Sequence, residues 1–123
     1  MIAILASLLM VYGNVRIRQH EQYREGVAGE QAGSFMKGLT GYESAIRMYT
    51  PFSSTVERSA QRIWAMAEDA EKRNNPPQAL AAYRSLRSAF YATRWLAQPG
   101  GRWIERCDRK IAVLVPLAER SAP

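Results

Sequence analysis

A chain of 123 residues, 47% apolar and 23% charged, holds material for one domain with a modest core, which excludes a multidomain architecture. Lys and Arg number 17 against 11 Asp and Glu, and the resulting +6 charge suits anionic surroundings: a membrane surface, nucleic acid or an acidic protein face. One cysteine, Cys107, and one histidine, His20, exclude an intramolecular disulfide and leave a zinc site dependent on carboxylates.

Residues Met1 to Gly13 read MIAILASLLMVYG, an apolar run interrupted only by Ser7, Tyr12 and Gly13, and the first charge is Arg16. A helix from Met1 to Val15 would be about 22 Å long, against a bilayer core of about 30 Å. The run has neither the basic leader nor the small-residue cleavage site of a secretory signal. It is expected to be a membrane-type segment over residues 1–15, making the chain a single-pass protein of a bacterial-type inner membrane. Either the chain begins inside a longer anchor, or Arg16 and Arg18 snorkel from a short one. The alternative is a buried N-terminal helix, which a run without a polar face fits poorly. Arg16, Arg18 and Arg24 follow the run, so the positive-inside rule places the rest of the chain in the cytoplasm.

Residues 16–25 are polar and read as a solvated stalk, ahead of a helical domain over residues 26–118. Gly26, Gly29 and Gly33 each cost about 1 kcal/mol in a helix interior relative to Ala, so they require close packing or a break. Gly38 and Gly41 are expected to bracket a turn. Thr40 and Glu43 fit a capping box opening a helix with Tyr42, Ala45, Ile46 and Tyr49 on one face, ended by Pro51. Ser54 with Glu57 opens the next helix, whose apolar positions are Val56, Ala60, Ile63, Trp64, Ala67 and Ala70. Asn75 caps a further helix with Pro76 in its first turn and Gln78 at the box position. That helix carries Leu80, Tyr83, Leu86, Phe90 and Trp95. Pro99-Gly100-Gly101 is a loop. A last helix, Trp103 to Val115, carries Ile104, Cys107, Ile111 and Leu114. Pro116 ends or kinks it, and residues 119–123 form a frayed tail. No stretch alternates with the period of a strand, so the fold class is all-α.

Ser44 to Tyr49 (SAIRMY) returns as Gln78 to Tyr83 (QALAAY), a shift of 34 residues. At the same shift Ala32-Gly33 meets Met66-Ala67. In each half an Ala (Ala45, Ala79) follows thirteen residues after the first member of the pair, and a Tyr (Tyr49, Tyr83) four residues later. Over residues 26–96 the chain thus resembles a tetratricopeptide repeat (TPR) protein, with Gly29, Met36, Ile63 and Ala70 standing where the family's first-helix aromatic residues fall. The resemblance implies TPR-like antiparallel hairpins with a C-terminal capping helix, preceded by the N-terminal apolar helix. It also implies a concave groove for a protein partner. The groove residues would be Glu30, Ser34 and Lys37, then Gln61, Trp64, Glu68 and Glu71. Glu30 and Ser34 argue against gripping a peptide C-terminus.

Trp64 is either the groove's anchor or plain core. Arg84, Arg87 and Arg94 alternate with aromatic residues and lead on to Arg102, Arg106, Arg109 and Lys110. They form a solvated helix face, or they contact anionic lipid headgroups or an acidic partner; nucleic acid is the least favoured occupant. No nucleophile with its base and no phosphate-cradling loop can be assembled, and Cys107 lies on an apolar stripe where a thiol is inert. The expected function is therefore not an enzyme and needs no metal or cofactor. It is a membrane-anchored protein–protein interaction module or scaffold, or alternatively a structural accessory subunit of a larger membrane complex.

Overall fold

In the computed structural model, residues 1–48, 54–93 and 101–121 are described. They form five α-helices: α1 (Ile2–Gln31), α2 (Phe35–Arg47), α3 (Ser54–Lys72), α4 (Pro76–Thr93) and α5 (Gly101–Ser121). The described residues contain no strand. Sequence neighbours pack as pairs, α1 on α2 and α3 on α4, while α2 also contacts α3 and α4, and α5 lies on α4. The core runs through this stack, from Leu39, Tyr42 and Ile46 by way of Ile63, Ala67, Leu80 and Tyr83 to Trp103, Cys107 and Leu114.

The first helix is unbroken across residues 15 and 25, and at 30 residues is about 45 Å long. Its apolar end, Ile2 to Val11, is exposed on all sides. From Asn14 onward polar residues interleave, and the lower half of the helix lies on α2. Gln19, in the expected stalk, is buried and donates from Nε2 to the Ala45 and Met48 carbonyls at 3.1 and 3.0 Å, capping the end of α2. The expectation of a single-pass membrane protein is overturned: no described helix is long and apolar enough to cross a membrane. The apolar stretch spans only about 15 Å before polarity rises, half of a bilayer core of about 30 Å. The single-pass inner-membrane location and the charge-based cytoplasmic orientation, both built on that span, fall with it.

The second helix begins at Phe35, five residues before the expected Thr40, because Ser34 caps it by accepting from the Lys37 N–H. Gly38 and Gly41 therefore lie inside α2, where they meet Gly26 and Gly29 of α1. A Cβ on Gly29 would stand 2.5 Å from the Gly38 nitrogen, and one on Gly41 would collide with the Gly26 backbone. Four glycines thus let two helix backbones touch, with Tyr42 lying over Gly26. Gly33 supplies the break: with φ at +76° it ends α1, and the Gly33 and Ser34 N–H groups reach back to Glu30 and Gly29 in a Schellman closure.

The turn between α3 and α4 repeats this closure bond for bond, 41 residues on. Asn74 takes the left-handed conformation of Gly33 (φ 58°), and Asn75 takes the cap of Ser34, accepting from the Gln78 N–H. The backbone bonds Asn74 N to Glu71 O and Asn75 N to Ala70 O match Gly33 N to Glu30 O and Ser34 N to Gly29 O. The repeat period of the structure is therefore 41 residues. The 34-residue register pairs Ala32-Gly33, which sit at the α1–α2 turn, with Met66-Ala67, which sit inside α3. In the observed register Gly26, Gly38 and Tyr42 correspond to Ala67, Ala79 and Tyr83. Each set has two small residues on facing helices and an aromatic residue one turn beyond.

The starts of α3 at Ser54 and of α4 at Pro76 are those read from the sequence. The last helix is longer than Trp103–Val115 and carries Pro116 in its interior, with Glu119 to Ser121 still helical. Tyr49, Pro51, Arg94, Trp95, Pro99 and Gly100 lie outside the described residues.

The glycine crossing gives a contrast between two substitutions. Gly41→Ala should cost about 2 kcal/mol or more in urea unfolding, because the added methyl meets backbone and not a yielding side chain. Gly13→Ala, with nothing near its Cβ position, should stabilise α1 by about 0.5–1 kcal/mol.

Candidate functional site

One face of the stack is lined by α1, α3 and α5, and polar links join these helices in turn. Between α1 and α3, Glu30 takes a bidentate ion pair from Arg62, with Nε at 3.0 Å from Oε1 and Nη2 at 2.6 Å from Oε2. Glu30 also accepts from the Tyr42 hydroxyl at 2.6 Å. Between α3 and α5, Glu71 accepts from the Tyr83 hydroxyl at 2.6 Å and from Lys110 Nζ at 3.1 Å. The two joints share one plan. A tyrosine from the second helix of a hairpin fixes a glutamate at the end of the first, and that glutamate holds a base on the next first-position helix. Burial first, and then the adjacent carboxylate, push both phenols above their ordinary range. Hydrogen bonding to Glu30 raises the Arg62 guanidinium likewise.

The α3–α5 side holds the densest aromatic cluster. Trp64 meets Tyr83 edge-on at 4.9 Å and Trp103 at 5.9 Å between ring centroids. Trp103 is buried, and its indole N–H donates to Glu57 Oε2 at 3.2 Å. The Arg106 guanidinium lies over both indoles, 4.2 Å from the Trp64 centroid and 4.7 Å from that of Trp103. Two clefts flank this stack. One, of about 540 Å³, is lined by Glu57, Gln61, Glu68 and Arg102; the other, of about 400 Å³, by Glu71, Arg109, Lys110 and Val113. Trp64 and Arg106 belong to both.

Among the groove residues expected from sequence, the structure gathers Gln61, Trp64, Glu68 and Glu71 on this face. Trp64 is half-buried and so both packs and presents an edge. Glu30 is on the same side but engaged by Arg62. Ser34 is consumed as the α2 cap, and the exposed Lys37 lines a separate hollow between α1 and α2. By the 41-residue equivalence, the α1 counterparts of Gln61, Trp64 and Glu68 are His20, Tyr23 and Val27. Tyr23 stacks on His20 and packs against Tyr42.

The expected Arg strip divides. Arg87 pairs with Asp108 and lies 4.4 Å over the Tyr91 ring, joining α4 to α5; Arg84 is exposed on α4; Arg94 lies outside the described residues. Arg106, read from the sequence as part of the Arg strip, lies instead against Trp64 and the core residue Trp103. The contact joins α3 to α5, so no spacing within one helix signals it.

Among the described residues, no three His, Cys, Asp or Glu side chains gather into a cluster that could hold a metal ion. Burial pushes the Cys107 thiol up to about 12, with Asp108 adding to this and Arg106 and Arg87 only partly opposing it. Comparison with protein-family models, with curated proteins and with solved structures returns no match.

Two measurements follow from these burials. Cys107 should resist a thiol-reactive reagent at pH 8 in the folded chain and react fully in denaturant. The thiol and the two phenols, ordinarily at 9.0 and 10.0, are held protonated by the fold. Their contribution is complete below their unfolded values and is lost as pH rises toward the folded ones. The melting temperature should therefore hold level up to about pH 9 and fall above it, with a shallower fall in Tyr83→Phe.

Proposed function

We propose that this chain is an interaction module of stacked helical hairpins that binds a protein segment on the face made by α1, α3 and α5, and that it performs no chemistry of its own. The observation that carries this reading is the 41-residue recurrence of hairpin, turn and Tyr–Glu–base joint, which aligns the first helices of successive hairpins along one face. A small–small–aromatic set recurs in each hairpin, and α5 covers the end of the stack as a cap would. The face so built has clefts, exposed polar groups and an anchored aromatic pair, the features from which peptide-binding surfaces gain affinity. Cys107 is buried and its thiol held protonated, which supports binding over catalysis.

A photo-crosslinking side chain placed at Gln61, in the cells that make the protein, tests the face. A discrete protein adduct is expected at Gln61 and none at Arg84 on α4. Equal adducts at both positions, or none at either, would overturn the proposal.

A second reading, a structural accessory subunit of a larger assembly, is favoured by one feature. Ile2 to Val11 exposes apolar side chains around the whole helix, with Ile2 at 85% and Leu9 at 71%. Such a surface calls for cover from outside the chain. On native gels the full chain should then migrate within a large complex, and removal of residues 1–13 should release it. Migration at the same small size with and without those residues would end this reading.

A further inference from the structure

We infer that the cleft pair around Arg106 is a carboxylate-reading site for an acidic peptide, an inference that rests on the interaction reading above and names the partner's chemistry. The argument begins with what holds the guanidinium. Two neighbouring indoles hold it from adjacent sides, their centroids 4.2 and 4.7 Å from the guanidinium carbon, and both indoles are themselves fixed: Trp103 by burial and its bond to Glu57, Trp64 by its edge contact with Tyr83. Among the described residues the Arg106 N–H groups donate to no hydrogen-bond acceptor, so the fork that matches a carboxylate is unspent. Among the described residues, no carboxylate lies within ion-pairing distance of Arg106. The nearby acids have other duties: Glu57 takes the Trp103 N–H and faces Arg102 at 3.8 Å, and Glu71 takes Tyr83 and Lys110. Glu68 lines the first cleft without pairing to the guanidinium.

Arg106 is thus a pre-oriented cation whose partner is missing. Side-chain ordering, the usual cost of engaging an arginine, is largely met before a ligand arrives. Arg109 and Lys110 make the second cleft positive, and Val113, 63% exposed, gives its wall an apolar patch. The occupant that fits is an extended segment with a Glu or Asp carboxylate on the Arg106 edge and an apolar residue beside Val113. Phosphate polymers match the charge but not the apolar wall.

The test uses the full chain and a fluorescein-labelled ten-residue peptide of alternating Glu and Leu, followed by anisotropy. The analogue with Gln for Glu is the neutral control. Binding of the Glu peptide is expected, with the Gln analogue and the Arg106→Lys variant each weaker by about tenfold or more, since lysine keeps the charge but loses the fork. Arg84→Gln, which removes an exposed cation that lines neither cleft, should bind within about twofold of the unaltered chain. Arg106→Lys binding as well as the unaltered chain, or equal binding of the Gln analogue, would overturn the inference. So would displacement of the peptide by a twenty-base-pair duplex or by phosphatidylglycerol vesicles that bind more tightly. Should Arg106→Lys misfold, the Arg106 Nε–H resonance of the unaltered chain decides: it must shift with the Glu peptide, and a stationary signal overturns the assignment. A protein adduct at Gln61 together with a stationary Arg106 signal would leave the interaction reading standing and remove only this inference.

Discussion

Everything above the second helix depends on how closely α1 and α2 approach. Gly26 and Gly29 on one helix and Gly38 and Gly41 on the other bring two backbones into contact, with no side chain between them. That distance lets Gln19 reach the end of α2 and sets Tyr42 over Gly26, its hydroxyl on Glu30. Glu30, so fixed, holds Arg62 and with it the position of α3. A single added methyl at this crossing would therefore be felt two helices away. The glycines each lower helix propensity, and the structure recovers that cost through close contact rather than through a break.

The second hairpin reaches the same arrangement with larger residues. Ala67 and Ala79 replace Gly26 and Gly38, and the interface is correspondingly less tight. Trp64 stands where α1 has Tyr23, and its larger ring extends to Trp103 and builds the cluster on which Arg106 lies. The candidate site thus lies at the end of the stack where α5 joins it, around Trp64. Lys110 closes the final joint where Arg62 closes the earlier one. A compact ammonium holds its glutamate through a point charge rather than a fork, so the two joints share a plan without sharing a geometry.

Local signals made part of this legible. The Asn75-Pro76 pair marks a helix start by capping chemistry that needs no tertiary partner, and α4 begins there, as α3 begins at Ser54. The small–aromatic pair Ala79 and Tyr83 was visible for the same reason. The first hairpin misled because Ala45 and Tyr49 imitate the spacing of Gly38 and Tyr42 seven residues late. Glycine reads as a turn former until a facing glycine is known, so Gly38 and Gly41 looked like a loop and Thr40 like a cap. The apolar N-terminus was read from composition as an anchor, whereas polar residues beginning at Asn14 and a continuous helix bound to α2 decide its length. Trp64 could be singled out alone, but the Arg106 stack joins residues more than forty positions apart, and no periodicity within one helix encodes that.

The two Schellman turns are written in different letters. One uses Gly33 and Ser34, the other Asn74 and Asn75, yet their backbone bonds coincide. What is copied from the first hairpin to the second is therefore a set of roles: a residue tolerant of positive φ, then a side-chain oxygen to cap the next helix. Such turns are interchangeable parts. The chain's architecture has a redundancy at its corners that its glycine-packed crossing lacks, so sequence drift is free to rewrite the corners long before it can touch the seam.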